Sequence, residues 1–273
     1  MADIAAHSGL SYFLYQEAFD KTPSAEKIQE LLEEHPEITH VSMVHSETTS
    51  GILNDIAAAA KAVKEAGRIF IVDAMSSFGG MDIPVEELGI DYIISSANKC
   101  IQGVPGFSFI ICSREELKKC EGQARSLSLD LYDQWKTMEK DGKWRFTSPT
   151  HVVLAFSQAL KEMEEEGGIP ARHARYAENN RILIEKMEEL GIRPYIEGPL
   201  QGPIITTFYY PEHAEFSFQE MYQYIKERGY AIYPGKVTDA DTFRIGNIGE
   251  IYPEDMEKLA QIIRDFLNEK KEA

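Results

Sequence analysis

The sequence predicts an α/β fold: a mostly parallel sheet covered on both faces by helices, followed by a smaller α+β domain. Three observations predict it. Apolar strand-like runs alternate with amphipathic helical stretches between residues 24 and 113. Those runs are apolar almost throughout, the pattern of strands buried on both faces. Beyond Gly191 the order changes to strands and helices of an α+β type.

Ser24 reads as the N-cap of a helix over AEKIQELLEEH, with acidic residues early in its course. ITHVSMV (38–44) reads as a buried strand and HSETTSG (45–51) as a loop. The Ala-rich stretch 53–67 is predicted helical and to end at Gly67. RIFIVDA (68–74) and IDYIISS (90–96) are two further strands, with a short helix expected over IPVEELG (83–89). GFSFIICS (106–113) adds a strand, and residues 122–150, which include Trp135 and Trp144, read as irregular. Two long helices are expected over 151–166 and 170–191, broken at EEEGGIP. PIITTFYY (203–210) and DTFRIGN (241–247) are strands, and helices are expected near 217–228 and 253–270. The domains are expected to divide as 1–165 and 166–273.

Composition narrows the function class. The chain has 273 residues, enough to bury a core, and is 43% hydrophobic and 27% charged, as soluble globular proteins are. Its net charge of -17 disfavours nucleic acid and anionic lipid as partners. No apolar run approaches the ~20 residues of a membrane helix, and MADIAAHSGL has no signal-peptide pattern. Three cysteines without CxxC spacing argue against a disulfide framework or a zinc site and suit a reducing cytoplasm.

Right-handed crossovers place the C-terminal ends of the first three strands on one edge, where ligands bind in such sheets. The polar loops HSETTSG, DAMSSFGG and SSANKC fall there. Asp73 ends a strand; it is either a turn aspartate or a carboxylate awaiting a cationic or hydrogen-bonding partner. Lys99 follows SSAN; alone it is a surface charge, but packed among small residues it becomes a desolvated, reactive amine. An Asp and a Lys on successive strand ends suit a pyridoxal cofactor, whose ring nitrogen needs an acid partner and whose carbonyl carbon needs an amine. Thr48 and Thr49 either bond a ring hydroxyl or form a local turn. Ser96 and Asn98 either contact the cofactor or satisfy the strand end. Arg244 offers a planar fork for a carboxylate, or an exposed salt bridge. His45 with Glu47 is an H-x-E pair without the downstream P-C-x-x-C of a zinc deaminase, so no metal is expected.

The strings THVSMVHSETTSGILND, IVDAMSSFGGMDIP, DYIISSANKCIQGVPGFSFI, WRFTSPTH, GPIITTFYYP and YPGKVTDADTFRIGNIG together resemble the 2-aminoethylphosphonate–pyruvate aminotransferases, within the fold-type-I pyridoxal phosphate enzymes. The resemblance spans nearly the whole chain. It implies a three-layer α/β/α cofactor-binding domain over 1–165, a small C-terminal domain, and transfer of an amino group from 2-aminoethylphosphonate to pyruvate. It implies Lys99 as the Schiff-base lysine and proton carrier, and Asp73 as partner of the pyridine nitrogen. It implies Thr48 at the ring hydroxyl, Thr147 at the cofactor phosphate of a neighbouring subunit in a homodimer, and Arg244 on the carboxylate of pyruvate or alanine. Arg145 and Lys236 are phosphonate candidates by charge and position. Alanine– or serine–glyoxylate or –pyruvate aminotransferases are the alternative within the same chemistry; a non-catalytic remnant is the alternative outside it. Family members carry a further N-terminal segment with a glycine/serine-rich turn that cradles the phosphate. The expectation is that this chain lacks it.

Overall fold

A computed structural model of the chain describes residues 1–212 and 216–272. A short helix, α1 (Ala2–His7), opens the chain, followed by α2 (Ala25–Glu34), β1 (His40–Val44), α3 (Ile56–Glu65), β2 (Ile69–Asp73), β3 (Tyr92–Ser96) and β4 (Ser108–Cys112). The sheet order is β1-β2-β3-β4; β1, β2 and β3 are parallel and β4 is antiparallel to β3. The caps are local and sequence-encoded. Ser24 accepts from the Lys27 amide at 3.1 Å, and Asp55 accepts from the Ala58 amide at 2.9 Å. A cap of this kind contributes about 1 kcal/mol. Asp55 is why α3 begins three residues later than the Ala-rich pattern alone predicts. Gly67, at φ +67°, follows its end as expected.

Register fixes what each face of the sheet carries. Met43, Phe70, Val72 and Ile93 point to one face and are buried against Ile28 and Leu32 of α2 and Ile56, Ala59 and Val63 of α3. The opposite face carries Ile71, Asp73, Ile94 and Ser96. It is only half-buried along Ile71, Asp73 and Ile94, although the apolar runs predict equal cover on both sides. Two expected elements differ. Residues 85–89 form turns rather than a helix, closing at Gly89 with φ +64°. A short helix, α4 (Arg114–Lys119), precedes the stretch read as irregular, and α5 (Leu131–Asp141) lies within it. Asp130 caps α5 on the Asp133 amide at 3.0 Å, a signal that the polar composition obscures.

The long helices are α6 (Thr150–Glu166) and α7 (Gly168–Glu189), separated by Gly167 at φ +113°. Beyond them lie β5 (Ile205–Tyr209), α8 (Phe218–Glu227), β6 (Tyr233–Pro234), β7 (Thr242–Gly246) and α9 (Pro253–Glu272). β5, β7 and β6 make a second, antiparallel sheet. Its core joins Phe208, Phe243 and Ile245 to Leu183 and Met187 of α7, Met221 and Ile225 of α8, and Ile263 and Phe266 of α9. Met81, Cys100, Tyr176, Ile204 and Ile205 form a separate cluster where residues from the two halves of the chain meet.

Candidate active site

The parallel strands end together. The His45 amide donates to the Asp73 carbonyl at 2.9 Å, and the Ala74 amide donates to the Ile94 carbonyl at 3.0 Å. Asp73 is in register with Ile94, so its side chain projects on the same face as that of Ser96 two residues further on. Asp73 is half-buried; one carboxylate oxygen accepts the Met75 amide at 2.9 Å, and among the described residues no cation pairs with it. Ser96 is 8% exposed, and its hydroxyl has no hydrogen-bond partner among the described residues. An unmet hydroxyl in such a place calls for a ligand or water.

Lys99 follows at the apex of a tight loop. The Gln102 amide bonds the Lys99 carbonyl at 2.8 Å and the Gly103 amide bonds the Ala97 carbonyl at 2.8 Å. Gln102 has φ +65°, a left-handed conformation uncommon for a side-chain-bearing residue. Ala97, Cys100 and Ile101 are buried, and this anchors the loop. The expectation of a packed, desolvated lysine is corrected: Lys99 is exposed, while its neighbours Ala97, Cys100 and Ile101 are the residues of the loop that turn inward. No carboxylate pairs with it among the described residues. Asn98 beside it is half-buried.

The loop after β1 is fastened to the second sheet. Arg244 is 6% exposed and lies mid-strand on β7, in register with Thr207 of β5 and Tyr233 of β6. Its guanidinium donates from Nη1 to the Thr48 carbonyl at 2.8 Å and from Nε to the Pro234 carbonyl at 3.0 Å. The exposed-salt-bridge reading of Arg244 therefore fails. Burial pulls its pKa down, partly offset by Tyr233 and Glu47. Thr207 adds a bond from its hydroxyl to the Thr49 carbonyl at 3.1 Å. Thr49 takes the local-turn role, its amide and hydroxyl both donating to Glu47 Oε1 at 2.9 and 2.8 Å. Glu47 is thereby engaged, and no group of potential metal ligands occurs among the described residues. Thr48 is half-buried with its backbone held and its side chain left for another partner.

Other candidates are not gathered here. Thr147 is exposed on the stretch before α6, with no hydrogen bond to the sheet edge among the described residues. Arg145 is already engaged by Asp133 at 3.3 Å, by the Leu127 carbonyl and by the Phe146 ring. Lys236 is exposed on the turn between β6 and β7. The sequence gives no sign of a buried contact beside these strand ends, between His45 and Ser77. His45 is 7% exposed, its Nδ1 is 2.9 Å from the Ser77 hydroxyl, and burial pulls its pKa down to about 4. The H-x-E spacing drew attention to His45 for the wrong chemistry; its partner lies on another loop and leaves no local signal.

Residues 2–243 match the family Aminotransferase class-V. This chain belongs to that family. It is 56% identical over 258 residues to a 2-aminoethylphosphonate–pyruvate transaminase of Lysinibacillus sphaericus, covering 94% of this chain and 70% of that protein. It is 55% identical over 268 residues to a protein of the same name from Bacteroides fragilis, covering 97% and 73% respectively. The crystal structure of alanine–glyoxylate aminotransferase from Nostoc superposes with a TM-score of 0.86 at 22% identity, over 97% of this chain and 71% of that one. That likeness shows the fold, the α/β architecture of class-V aminotransferases with its mostly parallel sheet. No helix among the described residues is long and apolar enough to cross a membrane.

Proposed function

We propose that this class-V aminotransferase transfers the amino group of 2-aminoethylphosphonate to pyruvate, giving phosphonoacetaldehyde and L-alanine, with pyridoxal 5'-phosphate as cofactor and the cytoplasm as its location. The observation that carries the choice of substrate is the 56% identity to a transaminase of that name over nearly the whole chain. The site chemistry fits the cofactor. A half-buried carboxylate without a cation, an unmet buried hydroxyl and an unpaired lysine stand at one sheet edge.

Pyridoxal phosphate, when bound, supplies a carbonyl that condenses with amines and a ring that withdraws electrons from the adjoining carbon. Asp73 would hold a proton on the ring nitrogen, a charge that a carboxylate stabilises. Lys99 would form the covalent link and, once released, move the proton of the donor carbon. Its exposure suits this role, since the amine must swing between attachment and proton transfer. Thr48 would bond the ring hydroxyl, with Ser96 and Asn98 as further polar contacts. Arg244, buried and unpaired with acid, would bind the carboxylate of pyruvate. Residues 1–165 would form the cofactor domain and 166–273 the small domain.

The same reading includes a homodimer in which Thr147 reaches the neighbouring subunit's cofactor phosphate. Leu127, Leu129 and Leu154, in the segment around Thr147, are exposed and support it, since burial against a partner removes such apolar side chains from water. Sedimentation of the full chain at twice the monomer mass is the expected outcome; a monomer at every concentration would exclude this part.

A coupled assay tests the reaction. Alanine should form from 2-aminoethylphosphonate and pyruvate with added pyridoxal phosphate. Arg244→Lys should raise KM for pyruvate roughly tenfold or more while leaving kcat less affected, because the planar fork is lost and the charge kept. No alanine from the wild-type chain, or an unchanged KM in the variant, would contradict the assignment.

A further inference from the structure

The loop that carries Lys99 is tied to the C-terminal half of the chain through a buried relay outside the residues assigned above. The carbonyl of Cys100, one residue past Lys99, accepts from Arg172 Nη1 at 2.9 Å and from the Tyr176 hydroxyl at 3.3 Å. Arg172 is 1% exposed and Tyr176 is fully buried. Arg172 Nε donates to Glu166 Oε2 at 2.7 Å, at the end of α6. Arg175 grips the same carboxylate, Nε on Oε1 at 2.8 Å and Nη2 on Oε2 at 3.1 Å. Its remaining arm, Nη1, donates to the carbonyls of Gly249 at 2.7 Å and Ile251 at 3.0 Å, in the turn that leads into α9. The Tyr176 hydroxyl also accepts from Gln102 Nε2 at 2.7 Å and from the Gly249 amide at 3.3 Å.

Three pieces of chain therefore meet at α7: the Lys99 loop, the α6–α7 break and the turn before α9. A guanidinium this far from water is costly unless its donors are met. Apolar side chains would fill such a space with less desolvation, so the ionic solution calls for a role in geometry. Each bond to the Lys99 loop goes to backbone or to Gln102, the residue in the left-handed conformation. Burial opposes the charge on Glu166, yet hydrogen bonds from Arg175 and Arg172 hold its carboxyl below the usual range.

We propose that Arg172, oriented by Glu166 and supported by Tyr176, is the positioning residue of the Lys99 loop, and that the relay through Arg175 makes this loop follow the 249–251 turn. Arg172 acts through the loop and touches no reacting atom. The inference rests on Lys99 as the cofactor-bearing lysine.

Hydrogen exchange on the full chain without cofactor, read on peptides covering 97–105 and 247–253, tests it beside borohydride trapping of pyridoxal phosphate. Arg172→Met keeps the apolar stem and removes the fork. Exchange should accelerate roughly tenfold or more in both segments, while peptides of α2 and α3 stay as they are. Trapping at Lys99 should slow several-fold, and Arg172→Lys should fall between, since it keeps a donor without the fork. Tyr176→Phe removes only the bridging hydroxyl; it should shift both segments in the same direction, and it carries the test if Arg172→Met does not fold. Unchanged exchange at 97–105 in the folded variant overturns the proposal. Acceleration confined to 97–105 overturns the coupling to the 249–251 turn. Failure of wild-type protein to trap at Lys99 overturns the cofactor reading alone, because exchange is measured without cofactor.

Discussion

Burial disfavours the charged form of His45, and this gives the fold a pH dependence of its own. Its ring meets Ser77, and its backbone amide bonds the Asp73 carbonyl. The native pKa near 4 lies below the ordinary value of 6.5, so the unfolded chain binds the proton more readily. Stability from this residue is complete above about pH 6.5 and is lost as pH falls towards about pH 4. The full loss is on the order of 3 kcal/mol. Replacing it by a neutral amide, His45→Gln, should flatten the fall in denaturation midpoint between about pH 7 and about pH 5. An equally steep fall in the variant would show that other groups set the slope. At this scale the sequence was partly legible. Asp73 and Lys99 stand out because strand ends concentrate chemistry, and Arg244 because of its residue type. The burial of Arg244 and the exposure of Lys99 were not legible, since both depend on which segments lie opposite them in space.

The decisive element is the short loop from Ala97 to Gly103. It folds back on itself so tightly that a Cβ on Gly103 would come within 2.6 Å of the Ala97 carbonyl oxygen. The obstacle is backbone, which cannot swing aside as a side chain can. Gly103→Ala should therefore destabilise the protein by about 1–3 kcal/mol, read as a lower denaturation midpoint. It should also weaken retention of pyridoxal phosphate more than a distant substitution of equal destabilisation. A variant as stable as wild type with cofactor retention unchanged would mean that the loop relaxes freely. The regular elements were largely readable: the Ser24 cap, the alternating helices and strands, and the α6–α7 break at a glycine all follow from local chemistry. The helix α5 was hidden because its amphipathic face is sparse and its surroundings are polar. The 85–89 turns look helical in composition but are too short to propagate a helix.

Across the whole molecule, the site exists because two sheets with separate cores are fastened at one seam. Bonds from Arg244 and Thr207 reach the loop after β1, while Arg172, Tyr176 and Arg175 connect the Lys99 loop to the turn before α9. Sequence order places the three strand ends together, but it carries no trace of this seam, whose partners lie far apart along the chain. The net charge of -17 leaves the buried Arg244 as a local exception, suited to an anionic substrate in an otherwise acidic protein. The measurement that bears most directly on the central claim is covalent trapping. The full chain is incubated with pyridoxal phosphate, reduced with borohydride, digested and mapped, with Lys99→Ala alongside. The expected result is an absorbance band at roughly 410–430 nm before reduction, a reduced phosphopyridoxyl group on Lys99, and neither in Lys99→Ala. A group on another lysine, or the same band and labelling in Lys99→Ala, would contradict it.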